Sequence, residues 1–513
     1  MRDNIGSFLA KRASLSPNMV GFIGPEQGVR LTFRELDLRC NRTANMLCEL
    51  GVERGDRVAL LMMNSLEFVE SFFAVAKLGG IVVPLNWRLV PDELAFILGD
   101  SGAETLVYGE EFAQAVTDLH DRGSSATAVK RWVRVGGNSP AHFAHAYEAL
   151  HEAAAETSPV IEAGDGDELY IMYTSGTTGL PKGAVHTHSS VAAACQTINA
   201  TAEVRYGDVY IIGLPLFHVG ALTPMTGNVH RGITSIVCRA FDPVKIWDLI
   251  EKEKVTSLLA VPAMLGFLQQ APNRDKVDRS TLRWIMSGAA PVPVSMIQTY
   301  IAQGMDIHQV YGLTETCGPS CLIIGEDAVA KAGSTGKAFF HTDVRVVDPD
   351  GNDVDPGSVG EVVVRGRHLM KEYWKRPEAT AETIRNGWLY TGDLATIDEE
   401  GFVYIQDRKK DMIISGGENI YPAEVENVLL THPKVRDAAV IGQPSQKWGE
   451  SPAAVVVVSE ELEAGELLEY TRGRLARYKQ PRTVYFVDEI PRNPSGKILK
   501  RILRDKFPGP APE

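Results

Sequence analysis

What this chain lacks narrows its chemistry early. It has six cysteines in 513 residues, too few and too scattered for a disulfide framework, so a reducing, cytoplasmic compartment is expected. Cys317 and Cys321 in "CGPSC" have no second pair at ligand spacing, which removes the usual four-ligand metal site. There is no excess of positive charge. With 52 basic and 65 acidic side chains the net charge is −13, the wrong sign for a nucleic-acid binder, although a nucleotide can still be held in a local basic pocket. No run approaches the ~20 apolar residues that span a bilayer, which leaves only contact with a membrane surface open. The N-terminal "MRDNIGSFLAKRASL" lacks the apolar core of a signal peptide. Neither "STGKA" (Lys337) nor "PSGKI" (Lys497) meets the Gly-x4-Gly-Lys-Ser/Thr spacing of a Walker loop. Internal repeats are absent, and low complexity is confined to the tail "PGPAPE".

What is present begins with "YTSGTTGLPKGAVHTHSS". The preceding "ELYIMY" reads as a buried strand, so the glycine- and hydroxyl-rich loop leaves a strand end. Glycines let backbone N–H groups approach a ligand, hydroxyls donate, and Lys182 adds a mobile charge; together they suit a polyphosphate. His186 and His188 beside the loop are read as strand and helix-cap residues rather than metal ligands.

The length implies about three to four folding units. In "LTFRELDLRCNRTANMLCELG", Thr32 and Glu35 form a capping box. Leu36, Cys40, Ala44 and Leu47 then mark one helical face, and Gly51 ends it. "RVALLM" and "GIVVPLN" read as buried strands around a helix from Glu67 to about Leu78, a βαβ alternation that recurs. From Gly333 the texture changes to short strands around Asp/Gly/Pro turns, a small antiparallel or barrel-like unit. A break falls at Asp407–Lys410, a charged stretch too polar for a core strand. The last segment follows, with its apolar strand Ala453–Val458. The expected fold is α/β. A large N-terminal domain (1–407) has doubly wound sheets and a small β-barrel-like unit; a smaller, mobile α+β domain (408–513) completes it.

Further stretches carry chemistry. "HQVYGLTE" sets Tyr311, Thr314 and Glu315 after an apolar strand: a ring that can stack on a purine, a hydroxyl for phosphate, a carboxylate for Mg²⁺. "YTGD" ends in Asp393, placed at a strand end as a partner for ribose hydroxyls. "SGAAP" offers small residues against which a flat base can lie. "PLFHVGA" brings His218 among apolar neighbours, and "RNPSGKILK" exposes Lys497 on a loop.

These motifs, with "DRKKDMIISGGENIYP", occur in the order found in acyl-CoA synthetases of the adenylate-forming superfamily. That superfamily also holds firefly luciferase and peptide-synthetase adenylation domains. The chain resembles this family over about residues 5 to 505, and is most similar in feel to bacterial fatty-acyl-CoA ligases. The resemblance implies an ATP-dependent carboxylic acid:CoA ligase. Acyl-AMP and pyrophosphate form first, then acyl-CoA and AMP, with ATP, Mg²⁺ and coenzyme A as cofactors or co-substrates. It also implies roles. Thr174, Ser175, Gly176, Thr177, Thr178, Gly179 and Lys182 hold the β- and γ-phosphates, and Thr174 with Glu315 holds Mg²⁺. Gly288, Ala289, Gln309, Val310 and Tyr311, with Gly312, frame adenine; Thr314 meets the α-phosphate; Asp393 and Arg408 grip the ribose. Lys497 bridges carboxylate and phosphate during adenylation only. The C-terminal unit turns about a hinge near Lys410, which brings Gly416 and Trp448 beside the pantetheine channel, and His218 gates the acyl pocket from the thiol tunnel.

Asp242 could imitate the aspartate that binds the amino group in peptide-synthetase domains, but Pro243 follows it, and Asp-Pro reads as a helix start. No carrier domain is seen after residue 505. The substrate class expected is a medium- or long-chain fatty acid, with an aromatic acid of the cinnamate or benzoate kind as the alternative. An acyl-AMP ligase loading a carrier protein and a non-catalytic nucleotide-binding regulator complete the field. A monomer or homodimer is expected.

Overall fold

A computed structural model describes residues 4–509 except 138–140, 161–162, 175–180, 290–291, 325–326, 410, 416–417, 446, 473 and 493–497; the side chains of Ser125 and Arg408 also lie outside the description. Two large sheets form the N-terminal part. In the first, Val20–Gly24, Thr234–Val237, Val209–Ile212, Ser257–Leu259, Trp284–Ser287 and Asp306–Tyr311 are neighbours in that order, and all of these pairings are parallel. Antiparallel strands close its edges, Val29–Thr32 at one side and Cys321–Leu322 with Lys337–Ala338 at the other. The second sheet is centred on Arg57–Leu61, between Ile81–Pro84 and Thr105–Gly109. Glu168–Thr174 joins it parallel to Ile81–Pro84 and turns back antiparallel into Lys182–Thr187, which in turn receives Glu372–Tyr373.

Strand alternation sorts the core into layers. Val58, Leu60, Tyr210 and Ile212 enter one cluster shared by both sheets, together with the helices Phe33–Glu49, Leu66–Leu78, His188–Thr201 and Val219–Arg231. Their alternates point the other way. Ile211 packs under the helices Pro243–Glu253, Pro262–Gln270 and Val294–Ala302, and Ala59 and Leu61 under Pro91–Ser101 and Ala113–Asp121. Both sheets are therefore covered on both faces, which is why their strands read as continuous apolar runs.

Local signals hold where they are short-range. Thr32 caps Phe33–Glu49 in a full capping box, a contact of about 1 kcal/mol. Leu36, Cys40, Ala44 and Leu47 are all buried. Asp242 accepts from the N–H groups of Val244 and Lys245, so it is spent on the helix start. The antiparallel unit expected after Gly333 is there. Thr342–Val347, Gly360–Gly366 and Trp388–Ile397 pair in succession, with Ile384–Arg385 and Val403–Arg408 both on the last of them.

One expectation fails. Asp407 belongs to the strand Val403–Arg408 and is buried, although its stretch reads as too polar for that. Its carboxylate is met by the Ala423 N–H at 2.9 Å, at the start of helix Pro422–Leu430, and Lys500 Nζ lies 3.8 Å away. A buried charge with such partners is tolerated. The final sheet comprises Glu418–Ile420, Ile413–Ser415, Gly449–Val458 and Val435–Ser445, with Thr483–Phe486 parallel on Gly449–Val458. Helices Pro422–Leu430 and Ala464–Thr471 pack on one face and Lys500–Lys506 on the other.

The middle helical layer hides a carboxylate. Glu70 is fully buried, paired with Arg39 and accepting from the Tyr147 hydroxyl at 2.7 Å, with His151 Nε2 3.9 Å away. Burial raises its pKa from 4.5 to about 7 against the pull of Arg39 and Tyr147. A raised folded-state pKa makes the contribution complete below the unfolded value and lost as pH rises through the folded one. Thermal stability should therefore fall between about pH 4.5 and 7 more steeply in the native chain than in Glu70→Gln. Parallel melting-temperature profiles would contradict this.

Candidate active site

The sheets and the C-terminal unit enclose a cavity of about 2440 Å³. Of the residues singled out from the sequence, Thr174, Lys182, His218, Gly288, Ala289, Gln309, Val310, Tyr311, Gly312, Thr314, Glu315 and Asp393 all line it. Residues 175–180 (Ser175, Gly176, Thr177, Thr178 and Gly179 among them), Lys410, Gly416, Lys497 and the Arg408 side chain lie outside the described residues. Trp448 does not line the cavity. It is 37% exposed on the C-terminal unit, its ring flanked by Lys447 at 4.9 Å and Arg482 at 5.8 Å.

Thr174 and Lys182 are register partners in the antiparallel pair Glu168–Thr174 and Lys182–Thr187, so sheet pairing alone fixes where the lysine starts. Lys182 Nζ stands 5.3 Å from the centre of the Tyr373 ring, and the Tyr373 hydroxyl donates to Glu315 Oε1 at 2.7 Å. Cation, phenol and carboxylate thus form one row. The turn Thr314–Thr316 that presents Glu315 is fixed by backbone and histidine. Met370 N–H donates to Glu315 O at 2.8 Å, and His186 Nε2 lies 2.7 Å from Thr314 O. Burial lowers the His186 pKa to about 4, so the ring is neutral and donates through Nε2. His188 is the first residue of its helix, after the cap Thr187, and its Nδ1 accepts from Ile5 N–H at 3.1 Å. Both histidines are scaffold, as strand and helix-start residues.

Close backbone approaches shape the next wall. A Cβ on Gly312 would sit 1.3 Å from Gly318 O, and one on Gly288 would sit 2.4 Å from Val310 O, so only glycine fits at either. Ala289 adopts φ +69°, a strained left-handed conformation for a residue with a Cβ. Gln309 gives its side-chain N–H to Ser334 O at 2.8 Å and is committed to that loop. Tyr311 donates to Asp393 Oδ2 at 2.7 Å; burial, then the carboxylate, push its own pKa up. Asp393 departs from expectation in place. It lies within Trp388–Ile397, where Gly392 at φ +71° and a register shift after Leu394 bulge the strand, and it pairs in register with Arg408. A bulge re-aims a side chain that a regular strand would hide or expose.

On the far side, His218 precedes helix Val219–Arg231, its ring 4.4 Å from Phe217. Its Nε2 is buried without a partner among the described residues, and burial, aided by the Arg88 charge, lowers its pKa to about 4. Phe217 meets Trp87 edge-on at 6.1 Å, and Arg88 covers Trp87 at 4.2 Å. The loop before His218 is tied by Asn64, whose Nδ2 donates to Leu214 O and Cys238 O while Oδ1 accepts from Leu216 N–H. Tyr373, Asn64 and Trp87 escaped the sequence reading; only the aromatic-basic run "EYWKRP" around Tyr373 hinted at a role. Lys500 escaped it too. Three residues after Lys497, with its side chain 10% exposed, it pairs with Glu426 at 2.9 Å.

The chain matches the family described as AMP-binding enzyme over residues 9–374, and the AMP-binding enzyme C-terminal domain over residues 424–497. It is 46% identical over 511 residues to the long-chain-fatty-acid–CoA ligase FadD13 of Mycobacterium tuberculosis, covering 99% of this chain and 100% of that one. It is 41% identical over 507 residues to a feruloyl-CoA synthase of Amycolatopsis, covering 98% and 99%. A solved Mycobacterium tuberculosis fatty acyl CoA synthetase superposes with a TM-score of 0.81 at 44% identity, covering 99% of this chain and 98% of that one. No helix among the described residues is long and apolar enough to cross a membrane. The chain belongs to the AMP-binding enzyme family, as an adenylate-forming acyl-CoA synthetase, an enzyme that joins a carboxylic acid to CoA using ATP.

Proposed function

We propose that the chain activates medium- or long-chain fatty acids. The carboxylate oxygen attacks the α-phosphorus of ATP and expels pyrophosphate; the CoA sulfur then attacks the acyl carbon and expels AMP, while the thiol proton passes to solvent or AMP. The observation that supports this best is the row Lys182–Tyr373–Glu315 and the pair Tyr311–Asp393, all lining one cavity. Lys182 balances phosphate charge, the glycine-tight wall at Gly288 and Gly312 lets a flat base lie against backbone, and Asp393 accepts from ribose hydroxyls. A neutral His218 closes the acyl side without bringing charge to it. An aromatic acid is the second reading, favoured by the feruloyl-CoA synthase relative and by the Trp87–Phe217 wall.

Mg²⁺ fits the residues present. The Glu315 carboxylate and the hydroxyl of Thr174 both line the cavity, and Mg²⁺ takes one or two protein ligands and fills its shell with phosphates and water. Bound there, it would supply charge neutralisation on the phosphates. The proposed domain boundary, 407/408, falls at the end of the strand Val403–Arg408, and the C-terminal unit is proposed to turn near Lys410, ahead of Ile413–Ser415. Lys497 is assigned to adenylation only, because its charge offsets two anions that meet in that transition state.

Incubation with ATP, Mg²⁺, CoA and a panel of acids should release AMP and pyrophosphate with fatty acids preferred; ADP and phosphate would contradict the reaction class. Lys497→Ala should lower pyrophosphate release by about 10²-fold or more, yet make acyl-CoA from synthetic acyl-AMP at close to the normal rate. Equal slowing of both steps would rule out the two-position account.

A further inference from the structure

We propose that Gly227 sets the length of acid the enzyme accepts. The space a side chain would fill at that position is left to the acyl chain, which makes straight-chain acids of myristate length and beyond substrates. The inference rests on the acid:CoA ligase reading of the cavity and narrows the substrate class within it. Helix Val219–Arg231 begins just after His218, and its residues Val219, Gly220, Thr223, Pro224, Gly227 and Asn228 line the cavity. Neighbouring pairs recurring one turn apart mark a single helical face, so the helix runs lengthwise beside the cavity. A chain that passes His218 follows this face inward. Gly227 lies nine residues beyond His218, about 13 Å along the axis at the helical rise, the span of a decyl to dodecyl chain.

Backbone and packing give no reason for glycine there. In a helix interior glycine is a poorer former than alanine, because its backbone loses more freedom on folding. Elsewhere in the cavity wall glycine is compelled: a Cβ on Gly288 or Gly312 would collide with backbone, and Gly318 holds φ +111°. Gly227 is not among the positive-φ glycines. A Cβ built on it meets, outside its own helix backbone and among the described residues, one atom within 4 Å. That atom is Cys195 Sγ on helix His188–Thr201, at 3.9 Å, an ordinary van der Waals contact, so the helix pair has room for a side chain. Gly227 is nonetheless buried. Protein interiors are close-packed, and a buried Cβ position bordered by one atom faces an internal space. Since Gly227 lines the cavity, that space is the cavity. The polar groups beside it on the helix are spent within the protein: Thr223 Oγ1 donates to Cys317 O at 2.9 Å and Asn228 Nδ2 to Ser235 Oγ at 3.0 Å. Ile198, Ala202, Val204, Ile233 and Phe339 line the same cavity and belong to the apolar cluster of the middle layer. An alkyl chain needs no partner in such a lining, and each methylene it takes out of water favours binding.

The test is a homologous series of straight-chain acids from hexanoate to stearate, with kcat/KM for acyl-CoA formation by the full chain read for each. The native enzyme should use palmitate and stearate at least as well as decanoate. In Gly227→Leu the ratio of palmitate to octanoate should fall by about 10²-fold, the scale on which an apolar pocket rejects excess methylenes. The best acid should move to a shorter length. Gly227→Ala should move it the same way by less, and should melt higher than the native chain because alanine is the better helix former. That variant decides the matter if the leucine variant does not fold. A native enzyme that stops at decanoate, or variants that lower every length alike, rejects the role of Gly227 and leaves the ligase reading standing. An alanine variant that melts lower also rejects it, since packing would then require glycine. No AMP or thioester with any acid rejects the ligase reading beneath it.

Discussion

The site depends on one contact, the hydrogen bond from the Tyr373 hydroxyl to Glu315. A carboxylate proposed to face phosphates needs to be held in place by a donor that carries no competing charge, and a phenol is such a donor. The same ring faces the Lys182 cation, so one side chain sets the spacing between the positive and negative groups of the pocket. Tyr373 is fixed in turn by the second sheet, pairing with Ala184 at its edge. The residues after it are knotted to Asp100, whose carboxylate takes the Tyr173 hydroxyl and the Arg376 guanidinium and whose carbonyl takes the Trp374 indole Nε1–H. Glu315 is held from the first sheet by the turn following Tyr311. The contact therefore joins the two sheets across the cavity.

Capping, strand alternation and motif order were legible in the sequence because each depends on neighbours a few residues apart. Thr32 with Glu35, and Asp242 with Pro243, are local chemistry. Tyr373 and Glu315 lie 58 residues apart, and Asn64 and Leu216 lie 152 apart, separations at which a single sequence carries no pairing signal. Asp407 and Asp393 were misplaced for a related reason. A charge reads as exposed, or as a strand end, until the distant Lys500 and Ala423 that receive one, or the bulge that re-aims the other, are known.

The fold divides labour between rigid and adjustable parts. The groups proposed to face the nucleotide sit on sheet strands or on turns where a Cβ would collide with backbone, as at Gly288 and Gly312, and such geometry tolerates little change. The part of the cavity proposed to take the acyl group is lined by side chains from two helices of the middle layer and by strand residues such as Met286. Relatives over 40% identical that carry names as different as long-chain-fatty-acid–CoA ligase and feruloyl-CoA synthase are consistent with that division.

The most direct measurement is a double-substitution cycle on acid-dependent ATP–pyrophosphate exchange, with Tyr373→Phe, Glu315→Gln and the pair. If the phenol acts through the carboxylate, the double variant should exchange within about twofold of Glu315→Gln alone, since residues in one network do not add. Losses that multiply would show that Tyr373 and Glu315 act independently, and the contact would lose its central place.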